Sequence, residues 1–340
     1  MKKSILLTIF MLTVFVPSMW GEGTVAPVLR FGGDQLINPK HLLAADGEIF
    51  VVEPKLFRIT IFTGEGKFKM NLGREGEGPG EFKMLNMVNI SKDLIYCCDL
   101  MGRRIHLFSQ KDKKYLKFIP FTNTVYGHPP NCMAVHPDGR IVMFNNGITK
   151  DDTLIGLYTP EGELIKRFLN AYPAYKSENE FFEYLKSHGH SKIINLKNAG
   201  YIAVFEGKIY FVNFIDNMVI EMDMDGRILN RFALPLPSHE KTLTFYTVEG
   251  KHEGQGKISY IKNKLNYALR AGNDGVYILS RDSGISYIFR LARGKFKEVC
   301  RMKEPLISFD VMNNKVYCLS DEPEDEEEND RILVYNIPGN

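Results

Sequence analysis

Six short apolar runs, each opening just after a turn, recur along the chain. They occupy residues 49–52, 95–98, 141–144, 209–212, 276–279 and 316–319. From first residue to first residue the spacings are 46, 46, 68, 67 and 40. Around each run the same order of elements returns. In the first unit, strands are predicted at 41–44, 49–52, 58–62 and 68–72, with turns at Asp46-Gly47 and Gly64-Glu65-Gly66. Short β-prone runs separated by Gly/Asp turns read as an antiparallel meander. The second unit repeats it over 87–119, the third over 133–169, the fourth over 201–232 and the fifth over 267–300. Repetition at this period marks a chain built from copies of one β unit.

The sixth unit has predicted strands at 307–311, 316–319 and 332–335, and then no fourth. An unassigned strand, 25–31, stands near the other end of the chain. An orphan at one end and a gap at the other predict a closed ring, with the N-terminal strand completing the last sheet. Closure removes open sheet edges. The expected fold is therefore all-β, a six-bladed ring of four-stranded sheets over residues 24–340.

Strand parity then assigns the loops to faces, because connections in a meander alternate between the two strand ends. Connections from one unit to the next, and those between second and third strands, share one face. The segment 73–82, the extra length near 170–197 and 235–264, and the acidic run 321–330 all belong to it. The tight turns Asp46-Gly47, Asp138-Gly139 and Asp225-Gly226 belong to the other. Functional residues concentrate on long loops over a rigid scaffold, so the decorated face is the expected working face. Within 178–196 a short helix is expected, capped by Ser177 or Asn179. Phe181, Tyr184, Leu185 and His188 would share one side of it. That helix reads either as a partner-docking element or as one packed against the ring.

The segment 73–82, Gly-Arg-Glu-Gly-Glu-Gly-Pro-Gly-Glu-Phe, with 95–99 (Ile-Tyr-Cys-Cys-Asp), Arg104, Ile105 and Phe108, resembles the NHL-type repeat of six-bladed β-propellers. It is most similar to bacterial exported propellers with a GxxGxGPGEF segment between blades. The resemblance implies six four-stranded blades around a central channel, and a structural Asp99–arginine tie, through Arg103 or Arg104, within the second blade. It implies little chemistry, since fold alone does not give function. Related propeller lactonases hold a divalent metal at the channel centre. Near the inner-strand entrances of this chain lie His41, Asn86, Asn131, Asn198, Asn266 and Ser308, a polar channel mouth able to hold a small ligand or ion. Asp310 is the one carboxylate in the matching stretches.

Composition changes this picture in three places. The start of the chain, with Lys2 and Lys3 before an apolar run from Ile5 to Val16 ended by Pro17, reads as a secretory signal over 1–23. Cleavage after Ser18 and after Gly23 both fit. The run is too short for a transmembrane helix and no second apolar span follows, so an exported protein, periplasmic or secreted, without membrane insertion is expected. The formal charge of +2, from 43 Lys+Arg and 41 Asp+Glu, offers no basic surface for nucleic acid. The five cysteines are odd in number and include no CxxC pair, which favours buried free thiols over a disulfide framework or a zinc site.

No catalytic, phosphate-loop or dinucleotide signature is present. The segment 73–82 lacks the GxxxxGK[ST] pattern, and His188 with His190 are two ligands where a metal site needs three or four. The acidic run lacks the spacing of a calcium loop. No cofactor is expected, with a divalent metal in the channel as the open variant. The expected function is a monomeric binding or scaffold module presenting its decorated face to a protein, peptide or glycan. The alternatives are a metal-assisted, lactonase-like hydrolase or lyase at the channel mouth, and a purely structural envelope component.

Overall fold

The computed structural model describes residues 24–33, 35–120, 132–145, 153–172, 183, 192–195, 198–236, 245–248, 265–321 and 331–337. The expected signal segment, most of the two insertions and most of the acidic run lie outside these residues. Six four-stranded antiparallel sheets form the body. The first sheet contains β2 (His41–Ala45), β3 (Glu48–Glu53), β4 (Arg58–Thr63) and β5 (Phe68–Leu72). The second contains β6 (Leu85–Ser91), β7 (Leu94–Asp99), β8 (Arg104–Ser109) and β9 (Tyr115–Pro120). The third contains β10 (Cys132–Val135), β11 (Ile141–Phe144), β12 (Thr153–Tyr158) and β13 (Leu164–Asn170). The fourth contains β15 (Gly200–Phe205), β16 (Lys208–Asn213), β17 (Met218–Met222) and β18 (Ile228–Ala233). The fifth contains β20 (Asn266–Ala271), β21 (Val276–Asp282), β22 (Ile285–Ala292) and β23 (Lys295–Met302).

The sixth sheet draws on both ends of the chain. Its order is β24 (Leu306–Met312), β25 (Lys315–Ser320), β26 (Ile332–Asn336) and β1 (Leu29–Phe31). Leu29 pairs with Val334, Arg30 with Leu333 and Phe31 with Ile332. The Phe31 ring then meets Phe62 of the first blade edge-on at 5.4 Å. A side chain at Gly66 would collide with that ring, its Cβ falling 2.7 Å away, and Gly66 holds a φ of +86°. Both demands select glycine at this turn. The inner strands adjoin in cyclic order, β2, β6, β10, β15, β20, β24 and back to β2. The architecture is an all-β, six-bladed propeller.

The core lies between blades, in six clusters, one for each junction. Strand alternation explains why. Phe50 and Val52 of β3 face the second blade, whereas Ile49 and Val51 face the sixth. Adjacent Cys97 and Cys98 divide the same way, into the clusters before and after their blade. Second strands are thus apolar on consecutive residues, because both of their faces are covered. In all five blades whose strands are consecutive in sequence, the pairing of third and fourth strands carries a register shift. A bulge there sharpens the twist of the outer strand. Outer strands accordingly leave Phe68, Phe118 and Ile165 about half exposed.

A further pair, β14 (Lys192–Asn195) and β19 (Phe245–Val248), forms its own two-stranded antiparallel sheet. Ile193 and Ile194, within the segment where a helix is expected, are therefore in a strand. β-Branched Ile193, Ile194, Thr247 and Val248 and aromatic Phe245 and Tyr246 suit that geometry. Phe181, Tyr184, Leu185, His188 and His190 lie outside the described residues, so the helix itself stays an expectation. Among the described residues the named helical element is one 3-10 turn, Pro54–Leu56.

Candidate functional site

Hydrogen bonds fix the two faces of the ring. The Gly64 amide donates to the Gly47 carbonyl at 2.7 Å, which brings the two turns of the first blade together at one end. At the opposite end Leu100 N donates to Met84 O, Phe214 N to Ala199 O, and Asp321 N to Pro305 O. Each of these bonds ties the loop after a second strand to the connection entering the same blade. Both insertions are blade-to-blade connections, before and after the fourth blade. They emerge on this second end and meet each other through β14 and β19.

The segment 73–82 also belongs to this end, and it folds on itself. Phe82 N donates to Arg74 O and Gly76 N to Phe82 O. Glu81 takes Arg74 on Oε1 at 2.6 Å and the Gly78 amide on Oε2 at 2.8 Å. Phe82 is fully buried, 5.1 Å from the His106 ring. Gly73 has φ +89°, and a Cβ there would stand 2.2 Å from the Phe82 ring. The glycines serve backbone shape and close approach, as structural connectors do.

Asp99 anchors the same corner. Its Oδ1 accepts Lys83 N at 3.1 Å, Met84 N at 2.8 Å and Gly102 N at 3.2 Å, and its Oδ2 accepts Arg104 Nε at 3.3 Å. Arg104, not Arg103, is the partner. Burial alone would raise the Asp99 carboxyl. The His106 imidazole 3.9 Å away and the three amides outweigh it, and the pKa falls to about 2. The first blade uses a homologous device, with Arg58 Nε 3.0 Å from Oε2 of buried Glu53.

The five expected channel-mouth residues that the structure describes are not brought together. His41, at the start of β2, lines the axial channel. Asn86 is half-buried at a register shift in β6, and Asn131 lies outside the described residues. Asn198 is buried and clasps Tyr172, accepting its N–H at 2.7 Å and donating to its carbonyl at 2.6 Å. Asn266 is buried too. Its Nδ2 donates to Asn213 O and Asp216 O, both at 2.7 Å, while its Oδ1 accepts the Ser280 hydroxyl at 2.7 Å. Both asparagines thus tie loops of the decorated end to the strands they enter. Ser308 Oγ accepts Leu42 N at 3.0 Å. Among the described residues no three His, Cys, Asp or Glu side chains form a group suited to a metal.

The channel itself is a cavity of about 620 Å³ between the six inner strands. Its wall includes Asp46, Gly47, Gly272, Asn273, Met312 and Asn313, so it extends to the tight-turn end, opposite the insertions. Besides Asp46, two charged side chains not among the expected site residues mark the wall. Arg270 reaches across three blades, donating from Nε to Phe309 O at 3.1 Å, from Nη1 to Leu269 O at 3.1 Å, and from Nη2 to Leu42 O at 3.4 Å and Ser308 Oγ at 3.3 Å. Asp310 accepts Ala44 N on Oδ2 at 2.9 Å and Val311 N on Oδ1 at 2.8 Å. Burial pushes its carboxyl up to about 6, against the opposing pull of Arg270 and the two amides.

All five cysteines are free and buried. Burial raises the thiol pKa of each of them. Among the described residues no helix is long and apolar enough to cross a membrane.

Two solved structures are similar in fold. One is a protein from Bacteroides fragilis described as a candidate exported protein, with 13% identity, TM-score 0.56, and coverage of 91% of this chain and 94% of its own. The other is a member of the duf4221 family from Bacteroides vulgatus, also 13% identical with TM-score 0.56, covering 93% of this chain and 97% of its own. No curated protein sequence matches this chain. The family profile described as "6-bladed beta-propeller" matches residues 33–271, and the chain belongs to that family, DUF5128.

Proposed function

We propose that this protein is an exported, monomeric binding module that presents its decorated face to a protein, peptide or glycan. The observation that carries the reading is the β14–β19 pairing. Two blade-to-blade connections, far longer than joining blades requires, leave the same end of the ring and associate with one another. Binding residues gather on long loops held by a rigid scaffold, and six buried inter-blade clusters supply that rigidity. Export is supported by the basic, then apolar, start of the chain and is in keeping with the description of the B. fragilis structure. The near balance of charge is consistent with a partner other than nucleic acid.

The test replaces 173–197 and 237–264 by short Gly-Ser linkers. Wild-type and variant chains, matched by circular dichroism, are used to capture ligands from an envelope extract and from a glycan array. The reading expects specific ligands retained by the wild type and lost by the variant. Equal recovery by both chains would place binding elsewhere.

A further inference from the structure

Asp310 is 8% exposed and lines the axial channel, at the end remote from the insertions. A carboxylate offers about four lone-pair sites, and two are taken, by Ala44 N and Val311 N. No ion-pair partner reaches it among the described residues; the nearby Arg270 spends its donors on three main-chain carbonyls and Ser308 Oγ. The other acid on the wall, Asp46, accepts Gln110 Nε2 at 2.9 Å. A buried carboxylate held by two amides, on which Arg270 acts only at a distance, is costly, and a cation placed in direct contact recovers part of that cost. The remaining wall is the edges of the inner strands, with apolar residues such as Leu43, Ile90 and Tyr201, and the amides Asn89, Asn273 and Asn313. A cavity of about 620 Å³ is within the range that encloses a small ligand.

We propose that the axial channel is a second binding site, distinct from the decorated face, for a small primary-amine ligand of disaccharide or dipeptide size. Its ammonium group is held by Asp310. A compact ammonium carries three donors, enough to meet the carboxylate and neighbouring edge carbonyls together. A divalent cation fits less well, since it asks for six or more oxygen ligands with several carboxylates.

The ionisable groups on the channel wall are Asp310 on β24, Arg270 on β20, Tyr201 on β15, Cys132 on β10, and His41 and Asp46 on or beside β2. Of these, Asp310 changes charge between pH 5 and pH 7, and His41, the histidine on the wall, serves as the control. Calorimetry on the mature chain tests the site with glucosamine disaccharide and alanyl-alanine amide, each beside its N-acetylated form. These two arms separate an amino sugar from a peptide amine. At pH 7 one of the amines should bind at least about tenfold more tightly than its acetylated counterpart. Its affinity should fall about tenfold at pH 5, where the Asp310 carboxyl is largely protonated and the amine is unchanged. Asp310→Asn should remove the amine preference, whereas His41→Gln should keep both the preference and the fall with pH. Should Asp310→Asn not fold, the acetylation and pH comparisons on the wild type decide alone. Failure of both amines to bind below about 10 mM, equal binding of the acetylated forms, a pH-independent affinity, or a fall abolished by His41→Gln would overturn the proposal.

Discussion

Asp99 joins the decorated end to the second blade, and its removal should loosen both. In Asp99→Ala three main-chain amides lose their acceptor, and Arg104 loses its carboxylate. Breaking a buried charged arrangement by deleting one member costs about 3–5 kcal/mol, which is a large share of the total stability of a domain. Asp99→Asn keeps one carbonyl oxygen for the amides and loses the charge, so it should cost less, about 2 kcal/mol. The sign of the pH effect follows from the depressed carboxyl. Its ordinary value is 3.8 and the folded value is about 2. The stabilisation from ionised Asp99 is therefore complete above pH 4 and disappears as pH falls through about 2. Urea unfolding followed by circular dichroism, at pH 7 and at several points from pH 4 to 2, measures the difference between wild type and Asp99→Asn. That difference should shrink toward zero at the acid end. A constant difference, or a loss under about 1 kcal/mol for Asp99→Ala, would show that the carboxylate does not hold this corner.

Other consequences are open to measurement. Phe82→Ala should cost about 3–5 kcal/mol by opening a cavity between the first two blades, read as a lower urea midpoint; an unchanged midpoint would show that 73–82 does not pack as described. Gly73→Ala should also destabilise, because its Cβ meets the Phe82 ring at 2.2 Å and φ is +89°; the double variant with Phe82→Ala should recover part of the loss. Native protein should resist thiol alkylation at all five cysteines, with full labelling in denaturant. Rapid labelling of Cys97 or Cys318 in the native state would contradict their burial.

The blades were legible because each second strand, such as 49–52 or 276–279, is covered on both faces and so reads as an unbroken apolar run. The tie between Asp99 and an arginine was legible through the resemblance to the NHL-type repeat, which left Arg103 and Arg104 both open; Arg104 is the one that makes it. The channel wall was less so. Asn89, Arg270 and Asp310 hold one register, opposite Tyr96, Tyr277 and Tyr317, but the matching positions of the first and fourth blades are Leu43 and Ala203, so no single residue type recurs there. The asparagines Asn198 and Asn266 do recur at inner-strand entrances, and recurrence pointed toward the axis. Their amides instead clasp Tyr172 and the 213–216 loop. A recurring asparagine at a strand entrance satisfies loop backbone as readily as it faces a ligand, and a sequence does not distinguish the two. The β14–β19 pair was hidden for another reason. Its partners are about 50 residues apart in two separate insertions, and such pairing leaves no local signal.

Sealing of the ring by the N-terminal strand is the central feature of the fold. Hydrogen–deuterium exchange with peptide-level readout addresses that directly. Amides of Leu29–Phe31 should be protected to the same degree as those of Ile332–Asn336, and the two segments should lose protection together as urea is added. Exchange of 29–31 at the rate of a free chain, while 332–336 stays protected, would mean that the last blade is not closed by the start of the chain.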